Sequence, residues 1–583
     1  MYTQVLPVCL LILLLSACSL NEDPPSPPPP ATVTGTTTPS SDAARRERKA
    51  AQGAPPAAEL DESVLPLASV QSRQMLPAES PCCFPVYDPE DRENYAPLAG
   101  NPVQLASERP VSTFSIDVDT GSYANVRRFL NAGSLPPANA VRVEELINYF
   151  SYDYPLPAQR DQPFSVTTRL APAPWNKDRL LLQVGLKGYA IPVDRRAPAN
   201  LVFLIDISGS MQDLDKLPLL KSAFRLLAQQ MTATDRIALV VYAGGAGAVL
   251  APTPGNQQAT INAALDQLEA GGSTNGAGGI RLAYDLARQS FIKGGINRIV
   301  LATDGDFNVG LTDFDALIDL VAREREGGVS LTTLGVGTGN YNDALLERLA
   351  DAGNGNYAYL DTLSEARKVL VEQLSGTLQT IAKDVKIQVE FNPTAVAEYR
   401  LIGYENRLLR REDFNNDRID AGEIGAGHTV TALYELTLHD SPARRVDPLR
   451  YALHEGSAPA TPTGGTELAN VSLRFKAPDS ARSRRLDHPV RRTAGEPASR
   501  DLEFAAAVAA FGQKLRGGEY LDGYSYEQIA QLAAAARGAD ADGYRSEFVS
   551  LVKLADSLAG LAGPAREAPE VGSDPAYRPQ VRR

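Results

Sequence analysis

Leu201-Val-Phe-Leu-Ile-Asp206-Ile-Ser208-Gly-Ser210 is an apolar run that stops on a carboxylate and then offers two hydroxyls. A short unbroken apolar run with no polar alternation is the pattern of a strand buried on both faces. A second run, Ile299 to Ala302, leads into Thr303-Asp304-Gly305, and a glycine-rich loop between the two runs carries Thr274. Ligands of open parallel sheets bind outside the carboxyl ends of the strands, where Asp206 and Asp304 stand.

The surrounding stretch alternates extended and helical patterns, which predicts a doubly wound α/β sheet covered on both faces. Helices are expected over Leu214 to Met231, Ile261 to Leu268, Gly279 to Phe291, Phe314 to Arg325 and Ala344 to Ala350, with a closing helix over Ser364 to Leu378. Strands are expected over Ile237 to Tyr242, Val329 to Val336 and Tyr357 to Leu360.

Asp206, Ser208, Ser210, Thr274 and Asp304 are all oxygen donors, the class that hard cations such as Mg²⁺ prefer. Two hydroxyls spaced by two can point the same way from one turn, and two carboxylates balance much of a dication's charge. The plainer alternative is that the serines cap the next helix and the aspartates merely end strands. The five residues in this order resemble the metal-ion-dependent adhesion site of von Willebrand factor type A domains. That resemblance implies a Rossmann-like domain over residues 199–380 that holds Mg²⁺, or Mn²⁺ or Ca²⁺. A partner protein's Asp or Glu would complete the cation's shell.

Residues 5–17 form an apolar segment too short to span a bilayer, followed by Leu15-Ser16-Ala17-Cys18. This resembles a bacterial lipobox, which implies lipidation at Cys18, a mature chain starting there and a membrane anchor. Ser19, by the same analogy, favours the outer membrane over the inner. The n-region Met1 to Gln4 lacks Lys and Arg, a departure that leaves an ordinary secretory signal as the alternative. Residues 19–84 are rich in Pro, Ala, Ser and Thr, a composition that buries no core and is expected to form a disordered tether. Cys82 and Cys83 are the cysteines outside the leader, so there is no disulfide scaffold. The four histidines are scattered without zinc spacing.

A net charge of −13 argues against a nucleic-acid platform. The basic stretch Arg482 to Arg492 reads as a solvated loop.

Outside the central domain, strands are expected over Ser112 to Val118, Phe164 to Leu170, Leu180 to Leu186, Val385 to Phe391, Glu398 to Gly403, Thr429 to Leu438 and Leu468 to Phe475. Their placement on both sides of the α/β stretch predicts a β-sandwich into which the metal domain is inserted. Helices are expected over Tyr123 to Leu130 and Val143 to Phe150. A C-terminal helical region follows, with a capping box at Ser525 to Gln528 and an amphipathic stretch from Tyr544 to Leu558. The segments Ser112 to Asp119, Val141 to Phe150 and Asp413 to Glu435 resemble those of bacterial von Willebrand type A proteins with an associated N-terminal segment and a C-terminal domain of unknown function. The resulting layout is a leader, 1–18; the tether, 19–84; an N-terminal segment, 85–160; sandwich strands, 161–198; the type A domain, 199–380; the sandwich, 381–500; helices, 501–562; and a disordered tail, 563–583.

Three motifs point elsewhere. Asp119-Thr-Gly-Ser122 spells an aspartic-protease signature, but that chemistry needs two carboxylates sharing a proton and no second copy exists. Its Asp119 or Thr120 is expected to cap the helix that follows. Gly335-Val-Gly-Thr-Gly339 lacks a phosphate-loop lysine and reads as a turn after a strand. Asp413, Asn415 and Asp417 have calcium-loop spacing, but Arg418 stands where a glycine is needed, so a polar turn is expected. The chain is therefore expected to be a non-enzymatic, metal-dependent protein-binding lipoprotein of the cell envelope. The rivals are an envelope scaffold with a vestigial metal site and a hydrolase built on Asp119 or Ser208.

Overall fold

A computed structural model describes residues 92–561, apart from 159–161, 193–194, 274–275, 306–313, 448–465 and 493–497. Cys18, the tether, Cys82, Cys83, Thr274 and the 563–583 tail lie outside the described residues.

The apolar run is the centre of a six-stranded sheet. Strand Ala199–Asp206 lies between Arg236–Tyr242 and Ile296–Thr303; Ser330–Val336 and Tyr357–Leu360 continue one side, and these five are parallel. Strand Ala246–Pro254, not expected from the sequence, runs antiparallel along the other edge. The double burial inferred from the unbroken apolar run is real. Leu201, Phe203 and Ile205 pack with Leu220 and Phe224 of helix Leu217–Ala228, while Val202 and Leu204 pack with Ile280 and Tyr284 of helix Gly276–Gln289. The rings of Phe203 and Phe224 stack with centroids 4.3 Å apart.

Two antiparallel sheets share a second core. One orders Gln104–Leu105, Val396–Ile402, Thr429–Leu438, Asn176–Gly188 and Phe164–Ala173. The other pairs Thr380–Phe391 with Val111–Ser115, Ile424–Gly425 and Glu467–Lys476, and the last pairs with Ser483–Arg491. Phe391 meets Tyr434 at 5.3 Å and Phe164 meets Phe475 at 4.8 Å between ring centroids, the face-to-face contact of a sandwich. The chain leaves this sandwich after Asn176–Gly188, passes through the parallel sheet and returns at Thr380–Phe391. Strand pairing is therefore mostly antiparallel among the described residues, and a doubly wound parallel sheet accounts for the fold only in part. The basic stretch expected as a loop, Arg482 to Arg492, is instead the edge strand Ser483–Arg491. Charged side chains suit an exposed edge, because they discourage pairing with another chain.

Helices Gly121–Asn131 and Val143–Asn148 join Arg500–Leu515, Tyr526–Ala535 and Tyr544–Leu561 in a third core around Phe150, Phe504, Phe511 and Phe548. The capping box forms as expected: Ser525 Oγ accepts from Gln528 N–H while Gln528 Oε1 accepts from Ser525 N–H.

Buried ion pairs tie this helical layer to the parallel sheet. Arg127 bonds Asp361 at 2.6 Å and Glu365 at 2.7 Å, and the fully buried Arg142 bonds Glu145 and Asp343. Asp119 belongs to the same network. Its Oδ1 accepts from Tyr357 N–H at 2.8 Å and its Oδ2 lies 3.3 Å from Arg407, whereas Thr120, the N-cap residue, makes no side-chain capping bond. The expected cap is thus replaced by a tertiary tie.

The expected closing helix is broken into Leu363–Arg367, a π-helical turn at Lys368–Glu372, and Leu374–Leu378. Gly335 to Gly339 forms the turn leaving strand Ser330–Val336, with Gly337 at φ +75. Asp417 pairs with Arg474 at 3.1 Å and accepts from Ser483 Oγ at 2.7 Å, so the calcium-like spacing serves a polar turn.

Candidate metal centre

Strands Ala199–Asp206 and Ile296–Thr303 are parallel neighbours in register, Ile205 opposite Ala302, so their carboxyl ends deliver Asp206 and Asp304 side by side. Past Asp206 the chain turns through a 3-10 segment, Gly209–Gln212, pinned by the fully buried Met211. This turn carries Ser208 and Ser210 back over the strand ends. Ser208 makes no capping bond there, which removes the helix-cap alternative for that residue.

Four of the five sequence-derived oxygens come together. Ser208 Oγ and Ser210 Oγ are 3.1 Å apart, and Ser210 Oγ donates to Asp304 Oδ2 at 2.7 Å. Asp206 Oδ1 accepts from Ser208 N–H at 2.8 Å and its Oδ2 from Thr303 Oγ1 at 2.9 Å. Thr303 also accepts from Gly305 N–H at 3.0 Å. Gly305 sits at φ +89 with Asn342 where a Cβ would stand, so this turn requires glycine.

Asp206 and Asp304 are fully buried and Ser208 nearly so. Burial, with the Asp304 charge adding to it and hydrogen bonds from Ser208 and Thr303 opposing it, pushes the Asp206 carboxyl up to about 6. Two adjacent buried carboxylates call for positive charge. Lys216 supplies some: its Nζ lies 3.2 Å from Asp304 Oδ2 and 3.2 Å from Asn340 Oδ1. Asn340 Nδ2 in turn donates to Asp304 Oδ2 at 3.1 Å. Neither Lys216 nor Asn340 was among the residues identified from sequence. The lysine follows Ser210 closely enough to have been a candidate, while Asn340 comes from a turn whose approach only the tertiary fold reveals. The donor set, hydroxyl and carboxylate oxygens alone, suits a hard cation.

A separate acidic cluster joins Asp384, Asp420 and Glu423, whose oxygens lie within 4.8 Å of one another, a spacing that a cation could bridge. Arg325 pairs with Asp420, and Lys476 Nζ lies 2.6 Å from Asp384.

Comparison with known proteins adds the family. The von Willebrand factor type A domain model matches residues 200–373, a von Willebrand factor model matches 89–183, and a model described as the C-terminal region of uncharacterized protein YfbK matches 376–558. Uncharacterized protein YfbK of Escherichia coli (strain K12) is 51% identical over 474 residues, covering 80% of this chain and 82% of the relative. The chain belongs to the YfbK family of von Willebrand factor type A proteins. The YfbK C-terminal model spans the returning sandwich strands and the C-terminal helices. Inter-alpha-trypsin inhibitor heavy chain H3 of Mesocricetus auratus is 25% identical over 42% of this chain and 29% of its own length. Among solved structures, the von Willebrand factor type A protein from Catenulispora acidiphila is 14% identical, covers 68% of this chain and 91% of its own, and has a TM-score of 0.39. Von Willebrand type A domains are typically non-catalytic protein-interaction modules, and the YfbK-like chain is read as one. Among its described residues, no helix is long and apolar enough to cross a membrane.

Proposed function

We propose that this protein is a cation-dependent protein-binding lipoprotein of the bacterial envelope. Asp206, Ser208, Ser210 and Asp304, with Thr274 from the second loop, would hold one divalent cation, Mg²⁺ in the first instance and Mn²⁺ or Ca²⁺ as substitutes. The observation that carries the reading is the 2.7 Å bond from Ser210 to Asp304, which brings two segments 94 residues apart onto one point. A cation bound there would supply a positive centre for an Asp or Glu of a partner protein. This chain's own residues position it: Thr303 and Ser208 N–H orient Asp206, and Asn340 orients Asp304. Leu214, four residues after Ser210, is 86% exposed and would offer an apolar contact for the partner's surface. Lipidation at Cys18, with the 19–84 stretch as a tether, would place the site at a membrane surface, the outer membrane being favoured.

Pull-down from membranes tests the proposal. The wild-type chain should retain a partner in Mg²⁺ and lose it in EDTA, and the Asp304→Ala variant should retain none in either. Retention unaffected by chelation and by Asp304→Ala would instead favour an envelope scaffold whose metal site is vestigial.

A further inference from the structure

Arg298 is the third residue of strand Ile296–Thr303, in the half away from the candidate metal centre, and is 3% exposed. The four other buried arginines among the described residues, Arg127, Arg142, Arg179 and Arg400, each have a carboxylate within ion-pair distance. Arg298 has none there among the described residues. Its Nη1 donates to Thr332 Oγ1 at 2.7 Å and to Asn356 Oδ1 at 3.4 Å, both neutral, and its Nε has no hydrogen-bond partner. Burial without a countercharge draws the guanidinium down to about 10, which still leaves it charged at neutral pH. An unpaired buried charge is among the most costly features that a fold can carry.

A cavity adjoins this cation. It lies between the sheet, at Val300 and Leu334, and the broken closing helix, at Leu370 and Leu374, and it is lined by Arg298 and His428. His428 is held neutral, its pKa drawn down to about 4 mainly by burial and further by Lys187 and Arg298, and its Nδ1 also lacks a partner. Glu423, the carboxylate whose field Arg298 feels, lies beyond ion-pair distance of the guanidinium and clusters instead with Asp420 and Asp384. The free space is about 40 Å³. At ~10–15 Å³ per enclosed water, that is room for about three or four waters or one small anion, and none for a headgroup or a peptide. The π-helical turn Lys368–Glu372 contributes Val369 and Leu370 to the wall, and such turns recur at functional sites.

We propose that this cavity is a binding site for one small inorganic anion of chloride's size, held by the Arg298 guanidinium and the His428 ring and closed by the apolar face of the 363–378 segment. The anion supplies the countercharge that the protein does not. This site is independent of the metal centre and of any partner that the metal centre recognises.

Thermal unfolding of the full chain at fixed ionic strength, in sodium chloride against sodium gluconate, reads this directly, because gluconate is too large to enter. The wild-type midpoint should rise saturably with chloride, and Arg298→Met should abolish the difference between the two salts. An equal chloride effect in both proteins, or none in the wild type, overturns the proposal. Should Arg298→Met not fold, wild-type crystals soaked in bromide decide the matter. An anomalous peak in the cavity beside Arg298 supports the anion site, and ordered water alone at that position overturns it.

Discussion

Lys216 Nζ lies 3.2 Å from Asp304 Oδ2, with the lysine side chain 5% exposed. A protein ammonium thus already sits against a carboxylate of the proposed cation site, and the two positive charges must share it. Lys216→Met should therefore tighten Mg²⁺ binding, by roughly tenfold if the repulsion removed is worth about 1.4 kcal/mol. Isothermal titration calorimetry checks this, and weaker binding in the variant would mean that Lys216 organises the site rather than competing for it.

Leu214 projects from the same loop without a role in the fold that its 86% exposure could support. Leu214→Asp should leave Mg²⁺ affinity and thermal stability unchanged while reducing partner retention in the membrane pull-down. Equal retention would place the partner's contact elsewhere on the rim.

The Arg142 guanidinium binds Glu145 and Asp343 in the buried seam between the helical layer and the parallel sheet. Replacing it with Met strands two acidic groups out of water. Breaking a buried pair by removing one partner typically costs about 3–5 kcal/mol. Denaturant unfolding should show a loss of that size for Arg142→Met, and a change below about 1 kcal/mol would mean that water relieves the carboxylates, a loss no larger than that of an exposed pair.

In chloride-free buffer His428, with a folded pKa near 4 against an ordinary 6.5, gives the acid limb of stability a definite sign. Between those values the unfolded chain binds the proton and the folded one does not. The contribution of a neutral His428 is therefore complete above pH 6.5 and is lost as pH falls toward 4, up to about 3 kcal/mol in all. His428→Gln should flatten the pH dependence of stability across that window. The same ring lies against Gly376, where any Cβ would collide with it. Gly376→Ala should displace the ring and lower stability, and an unchanged melting temperature would show that the helix can shift to make room.

The sequence made some of this fold readable and hid the rest for physical reasons. Asp206, Ser208, Ser210 and Asp304 could be placed because buried parallel strands are unbroken apolar runs whose carboxyl ends mark the site. Strand Thr429–Leu438 was readable to its boundaries. Strands Ala246–Pro254 and Ser483–Arg491 were not: edge strands carry glycine, proline and charge, the residues that ordinarily signal a loop. The π-helical turn at Lys368–Glu372 was invisible because helical periodicity continues through a single wide turn. Asn340 and Arg407 act on carboxylates far away in sequence, and local pattern cannot report such meetings.

Anomalous diffraction from crystals grown with Mn²⁺ would locate the cation itself. One strong peak is expected beside Ser208, Ser210 and Asp304, and it should disappear in Asp304→Ala. A peak only at Asp384, Asp420 and Glu423, or none in the wild-type protein, would contradict the proposed cation site.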